Sequence, residues 1–331
     1  MPLAREESLS AYGSIQGTTK EPPMPEREKK GRDTEVISSS MLDAAAGAKK
    51  ARGSVVRVDV DLAAMSDIGK ARSNNEDHYL AVKFGRFLNC LQTNLGRADV
   101  PRHFEQTGYG LLVADGMGGM AAGEVASRLA ITTMVDLVLE TPDWIMGGDE
   151  VQAGEVERRT AERMQQAADV LTAESQQNPA LAGMGTTLTL AISLGADLLV
   201  AHVGDSRAYL YRDDKLHRLT RDHTFAQEMA DAGLISVSDI ARHRMRHVLT
   251  RSLGDDRSVR AEFRRTELRN GDRLLLCSDG LHDLVEDAAI AEVLSAQPTS
   301  HDACLALIDR ALSAGGKDNV TVVLAKYTIP E

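Results

Sequence analysis

Cysteine is scarce: three residues, Cys90, Cys277 and Cys304, lie far apart with no C-x-x-C step among them. An odd, scattered set of thiols builds neither a disulfide framework nor a zinc site, so the chain reads as reduced and cytoplasmic. No apolar run approaches the roughly 18 residues of a membrane span, so no membrane partner is expected. The start, "MPLAREESLSAYG", has no signal-peptide core, and secretion is not supported. A surplus of positive charge is also missing. The formal net charge of −11 leaves no footprint for nucleic acid, whose phosphates need basic patches. An acidic chain still handles phosphate where metal ions supply the positive charge. Aromatics are few, at 4%, while the apolar fraction, 43%, is ordinary. The length, 331 residues, suffices for a sizeable core.

Residues 1–52 differ from the rest. "GTTKEPPMPEREKKGRDTE" is charged, contains proline and lacks large apolar residues. Such a stretch buries too little surface to offset ordering entropy, and is expected to be a disordered N-terminal tail. Residues 53–331 read as one domain. Strand-like runs recur in it, among them "RVDVDLAAMSD", "GLLVAD", "TTLTLAISL", "DLLVAHVGD", "AYLYR", "DRLLLCSD" and "NVTVVLAKY". Helical patterns are expected near 123–139, apolar on most faces, and near 155–174. The second aligns Val156, Met164, Ala167 and Leu171. "HDACLALIDRALSAGG" is amphipathic and ends in a glycine stop. "DDKL" reads as a hairpin turn. Strands and helices are grouped, which favours antiparallel sheets flanked by helices over a doubly wound parallel sheet. The stretch 83–110 is long for a strand connection and reads as a helical or loop insertion.

Carboxylates punctuate the strand ends. Asp115 ends "LLVAD", Asp205 follows "LLVAHVG", Asp279 ends "LLLCSD", Asp318 precedes "NVTVVLA", and Glu76 and Asp77 precede "HYLAV". Any one is ordinary turn chemistry. Brought side by side, they would repel strongly unless cations bound between them. Oxygen ligands with no His or Cys suit Mg2+ or Mn2+. Gly116, Gly118 and Gly119 behind Asp115 bare the backbone for an ion, water and substrate. Asp115 is the natural bridging ligand of a two-metal hydrolytic site. Arg72, four residues before Glu76, offers a planar fork for phosphate oxygens. Cys277 adjoins these motifs and reads as a buried strand residue.

The chain resembles the metal-dependent Ser/Thr protein phosphatases of the type 2C class (PPM), in their compact bacterial form. Eight motifs carry the resemblance in order: "SDIGKARSNNEDHYL", "LLVADGMGGMAAGEVAS", "GMGTTLTLA", "LLVAHVGDSRAYLYR", "LTRDHT", "HVLTRSLG", "LLLCSDGLHDLV" and "GGKDNVTVVL". It implies an α+β fold, a four-layer αββα sandwich of two central antiparallel sheets flanked by helices. It implies two Mn2+ or Mg2+ ions per site, with a weaker third. By motif, Asp115 bridges the ions and Gly116 offers its carbonyl. Asp279 and Asp318 complete the first metal, and Glu76 and Asp77 serve the second. Asp205 belongs to the third, Arg72 binds phosphate, and Asn319 orients Asp318. The implied reaction is attack of a metal-bridging water on phosphoserine or phosphothreonine of proteins, opposing a Ser/Thr kinase.

The sequence departs from the family pattern in two places. Many eukaryotic members carry His where this chain has Met117, and bacterial members often carry His where it has Met120. Residues 225–246 correspond to a mobile flap beside the cleft, with His243 and His247 read as surface or structural residues. The alternatives are a catalytically silent phosphoprotein-binding module of the same fold, and a partner-switching phosphatase acting on an anti-sigma antagonist. The complete acid set weighs against the first, and the lack of a fused sensor domain against the second. A metal-dependent nuclease is disfavoured by the charge. A monomer is expected.

Overall fold

The computed structural model describes residues 58–96, 99–118, 122–140, 150–254 and 259–330, and the expected tail at 1–52 lies outside them. The strands are β1 (Asp59–Asp67), β2 (Asp77–Asn89), β3 (His103–Met117), β4 (Gly185–Thr186), β5 (Leu188–Leu194), β6 (Asp197–Val203), β7 (Arg207–Arg212), β8 (Lys215–Arg218), β9 (Glu262–Glu267), β10 (Arg273–Cys277) and β11 (Val320–Thr328). The helices are α1 (Ala122–Glu140), α2 (Glu150–Gln177), α3 (Phe225–Asp231), α4 (Asp279–His282), α5 (Asp287–Ala296) and α6 (Ser300–Ser313).

Side-chain alternation along the central strands dictates the layers. In β3, Leu111 and Val113 face one way and Leu112 and Ala114 the other, and all four are buried. A strand apolar on both faces needs a layer on each side. Leu111 and Val113 pack with Val200, Leu210, Leu276 and Val323, between the sheets. Leu112 and Ala114 pack with Ala126 and Ala130 of α1 and with Met164, Ala167 and Leu171 of α2. The second sheet repeats the rule. Leu274 and Leu276 of β10 turn inward, while Leu275 and Cys277 pack beneath α5 and α6. The result is the expected αββα sandwich. One sheet is ordered β1-β11-β10-β7-β8, the other β2-β3-β5-β6-β9 with β4 beside β3.

Local signals place the ends. Asp213 and Asp214 take φ of 50° and 58°, the left-handed pair of a two-residue type I′ turn, closing β7 onto β8 as "DDKL" predicts. Thr299 caps α6, its hydroxyl accepting from the Asp302 N–H at 3.1 Å. The helix α1 is less enclosed than its composition predicts: Val138 and Leu139 near its end are 40% and 72% exposed.

Among the described residues the stretch 83–110 holds no helix: 83–89 and 103–110 are strand, and 90–96 and 99–102 are the loop between them. It extends the hairpin of β2 and β3, paired from Asp77↔Asp115 to Asn89↔His103. Pairing of β3 with β5 stops at Gly108↔Leu194, so the outer part is a two-stranded ribbon. With no third strand or helix to face, it carries no apolar alternation, and Phe87 stays 76% exposed. The strand β9, "EFRRTE", also escapes the pattern because it is an edge strand.

Candidate active site

Antiparallel order brings the acids to one end of the sandwich. The C-terminal ends of β3, β6 and β10 and the N-terminal ends of β2 and β11 share that edge. Asp77 pairs directly with Asp115, Cys277 pairs with Val322, and Asp205, Asp279 and Asp318 follow or precede these ends by two residues. Asp279 stands at the first position of the short helix α4, where a bare turn is the sequence-level reading of Asp-Gly.

Backbone contacts fix the carboxylates. The Asp115 N–H donates to Thr187 Oγ1 at 3.0 Å, and its carbonyl accepts from the Thr187 N–H at 2.9 Å and from Thr186 Oγ1 at 2.8 Å. The paired threonines of "GMGTTLTLA" thus clamp the bridging position from both sides. Gly116 donates its N–H to the Glu76 carbonyl at 3.1 Å. A Cβ at Gly116 would lie 2.0 Å from the Gly123 carbonyl oxygen, so only glycine lets β3 meet the start of α1. Gly280 has the same role across the sheet, where a Cβ would stand 1.9 Å from the Asn319 carbonyl oxygen.

Asn319 does more than sit beside Asp318. Its Oδ1 accepts from the Glu76 N–H at 2.8 Å, and its Nδ2 donates to the carbonyls of Ile68 and Asn74, both at 2.9 Å. Its side chain therefore holds the loop 68–76, which carries Arg72 and Glu76. Asp318 is steadied by the Asn319 backbone N–H, at 2.9 Å from Oδ1. Arg72 Nη2 donates to Asp318 Oδ2 at 2.6 Å from a half-exposed position.

The acids repel as the sequence reasoning requires. Burial, then the charges of Asp77, Asp279, Asp205 and Asp318, push the Asp115 carboxyl well above the ordinary range. Burial, then Asp205, Asp318, Asp283 and Asp77, does the same to Asp279. Asp77 rises to about 6 through burial, opposed by the hydroxyls of Ser278 and Thr321. Asp205 rises to about 7 through burial and the neighbouring Asp222 and Asp283. Glu76 is raised by burial, against the pull of Arg72. Nearby, Arg207 is engaged elsewhere, in a two-pronged pair with Asp222 at 3.0 and 2.7 Å.

One atom tests whether cations fit. Asp77 Oδ1 is buried and has no hydrogen-bond partner among the described residues, although Oδ2 accepts from Ser278 Oγ at 2.6 Å. An orphaned carboxylate oxygen in a cluster of acids costs several kcal/mol unless something positive meets it. The donors are oxygens, the set that suits Mg2+ or Mn2+. The residues fit a divalent metal.

All the residues singled out in the sequence, Arg72, Glu76, Asp77, Asp115, Gly116, Asp205, Asp279, Asp318 and Asn319, come together here. Three others escaped it. Ser278 joins the sheets through Asp77 and accepts from the Thr321 N–H at 3.0 Å. Glu124 accepts from Asn74 Nδ2 at 3.0 Å. Asp283, one helical turn past Asp279, forms a cluster with Asp279 and His247 whose ligand atoms lie within 4.8 Å of one another. Its i, i+4 spacing from Asp279 is visible in the sequence once a helix is placed there. Met120 lies outside the described residues.

Two antiparallel sheets with carboxylates gathered at one end, an arginine beside them and a donor set made mainly of carboxylate oxygens define a class: metal-centred sandwiches built to handle phosphate. Within that class, the model of a protein family described as "Protein phosphatase 2C" matches residues 89–312, and the chain belongs to this family. It is 39% identical over 263 residues to the Mycobacterium tuberculosis Serine/threonine protein phosphatase PstP, covering 80% of this chain and 44% of that one. It thus spans less than half the length of that relative. It is 38% identical over 221 residues to the Listeria innocua Serine/threonine phosphatase stp, covering 66% of this chain and 84% of the relative. The structure superposes on the catalytic domain of PstP, solved in complex with two manganese ions, with a TM-score of 0.64 and 36% identity. That match covers 82% of this chain and all of the other. The Staphylococcus aureus Serine/threonine phosphatase Stp1 superposes with a TM-score of 0.65 at 29% identity, covering 83% of this chain and 96% of the other.

Proposed function

We propose that this chain is a metal-dependent phosphatase that hydrolyses phosphoserine and phosphothreonine on proteins, opposing a Ser/Thr kinase. The observation that carries the reading is the carboxylate cluster with its unpartnered Asp77 Oδ1, facing an arginine on the same rim. The names of the relatives, and the two manganese ions in one of them, support it. On this reading Asp115, the Gly116 carbonyl, Asp279, Asp318, Glu76 and Asp77 hold two ions, Mn2+ or Mg2+, and Asp205 serves a weaker third. Such ions supply Lewis-acid polarisation of the phosphoryl group and acidification of water.

The chain's own residues do the rest. Arg72, half-exposed and hydrogen-bonded to Asp318 at the edge of the site, turns its fork to two phosphate oxygens and stabilises their charge. Asn319 holds the loop 68–76, so Arg72 and Glu76 keep their places when substrate arrives. Thr186 and Thr187 lock the Asp115 backbone. Met117 has no proton to give, so the leaving serine or threonine oxygen is protonated by another group. The kinase partner, monomeric state and cytoplasmic location rest on the sequence alone. Among the described residues no helix is long and apolar enough to cross a membrane.

The test is release of phosphate from a phosphothreonine peptide with Mn2+, with excess EDTA, and by Asp279→Asn. Release that needs the metal and collapses in the variant is expected. No release with any divalent ion, from folded protein, would replace this reading by the silent binding module.

A further inference from the structure

We propose that Arg242, Arg244 and Arg246 make this site selective for phosphoproteins with acidic residues flanking the phosphorylated serine or threonine. The inference rests on the phosphatase reading and names the substrate class of that same site.

The 3-10 helix Val237–Arg242 leads into a turn, with the Arg246 N–H bonded to the His243 carbonyl at 3.1 Å and the Val248 N–H to that of Met245 at 3.2 Å. His247 then lies at the rim of the cleft. Its Nδ1 lies 3.8 Å from Asp279 Oδ2 and its Nε2 3.4 Å from Asp283 Oδ2. Beyond it the chain rejoins the body through the Phe225 N–H to Val248 carbonyl bond, 2.8 Å, and the Thr250 N–H to His223 carbonyl bond, 2.8 Å. Position 246 therefore stands next to a residue that touches the acid cluster.

Burial alternates along the segment: Arg242, Arg244 and Arg246 are exposed, whereas His243 and Met245 are partly buried. The inward pair seats the segment and the arginines point to solvent. Among the described residues none of the three guanidinium groups has an ion pair or side-chain hydrogen bond. Two of the flap's own acids are already engaged, Asp231 with Arg221 and Asp239 with the Ser236 hydroxyl. Three unpaired arginines within five residues, on a chain of net charge −11, form a local positive rim on an acidic cleft.

A phosphorylated side chain directed toward Arg72 leaves its flanking residues to run across that rim. An extended peptide advances about 3.3 Å per residue, so residues close to the phosphorylated one in the chain are the ones that meet the rim. Carboxylates there gain guanidinium partners, while lysines there meet like charge, and the two effects add to a preference.

The test compares two phosphothreonine peptides, one with glutamates and one with lysines at the flanking positions, on the full chain with Mn2+. KM and kcat are read separately. Affinity for non-hydrolysable phosphonate versions is read by fluorescence anisotropy, and variant folding by melting temperature. Exposed pairs contribute roughly 1.4- to 5-fold each, so the acidic peptide is expected to show at least about fivefold lower KM and Kd. R242Q/R244Q/R246Q is expected to bring the ratio near one, R242E/R244E/R246E to invert it, and raised salt to shrink it in the unaltered protein. Equal affinity for both peptides in the unaltered protein, or a preference that both variants keep, would overturn the proposal. Hydrolysis of neither peptide would overturn the phosphatase reading itself. Hydrolysis of both without a charge preference would overturn this inference alone.

Discussion

The acid cluster makes a prediction that needs no substrate: Asp279→Asn stabilises the metal-free protein and weakens its stabilisation by metal. Asp279 faces Asp205, Asp318, Asp283 and Asp77. Two carboxylates about 6 Å apart in an effective dielectric of about 20 repel by about 3 kcal/mol. Four such neighbours would rival the whole stability of a domain, about 5–15 kcal/mol. The metal-free site therefore sheds charge by taking up protons, as the upward shifts of Asp77 and Asp205 express. That relief caps the gain, leaving about 1–3 kcal/mol for the amide, or about 2–10 °C in a domain this large. The sign with pH follows. The folded pKa of Asp279 lies above the ordinary 3.8, so the folded form holds a proton that the unfolded chain releases. The cost accumulates as pH rises from about 4 and levels off above the folded pKa, so the variant's advantage closes at acid pH. The assay is a melting curve in EDTA and in Mn2+ across pH. A variant that melts below the parent in EDTA, with its secondary structure intact, would refute the reasoning.

Three further substitutions probe the scaffold. Gly280→Ala places a Cβ 1.9 Å from the Asn319 carbonyl oxygen and is expected to cost about 3 kcal/mol or more in urea unfolding. A loss under about 1 kcal/mol would mean the two backbones do not meet as described. Ser278→Ala strips a partner from Asp77 Oδ2 and from the Thr321 N–H, with an expected loss of about 1–3 kcal/mol by the same measurement. Arg72→Ala breaks a half-exposed ion pair, so stability changes by less than about 1 kcal/mol. Its kcat/KM on phosphopeptide is expected to fall about 100-fold, and a drop below about threefold would remove Arg72 from phosphate binding.

Much of this was legible in the sequence because periodicity survives where side chains meet a core. "DLLVAHVGD" and "DRLLLCSD" announce β6 and β10, and Met164, Ala167 and Leu171 announce the buried face of α2. The acids were legible because turn residues isolate them at strand ends. The ribbon 83–110 was not, because its outer pairs face solvent on both sides and obey no apolar rule. Edge strand β9 failed because Phe263 is the one large apolar residue it sets against the core. Ser278 was hidden because serine at a strand end is ordinary, and only its pairing with Asp77 from the other sheet, 201 positions away in the chain, gives it a role.

The sequence by itself determined most of the strands, the long helices and the carboxylates at the strand ends, since each depends on residues close in the chain. Only the tertiary structure decided which of those acids share a site and what each backbone group does for them. Register sets Asp77 beside Asp115, Asn319 reaches back to hold the loop of Arg72 and Glu76, and His247 brings an arginine-bearing segment beside Asp279 and Asp283. These are contacts across long stretches of chain. They follow from antiparallel pairing and close backbone approach, which no local pattern encodes.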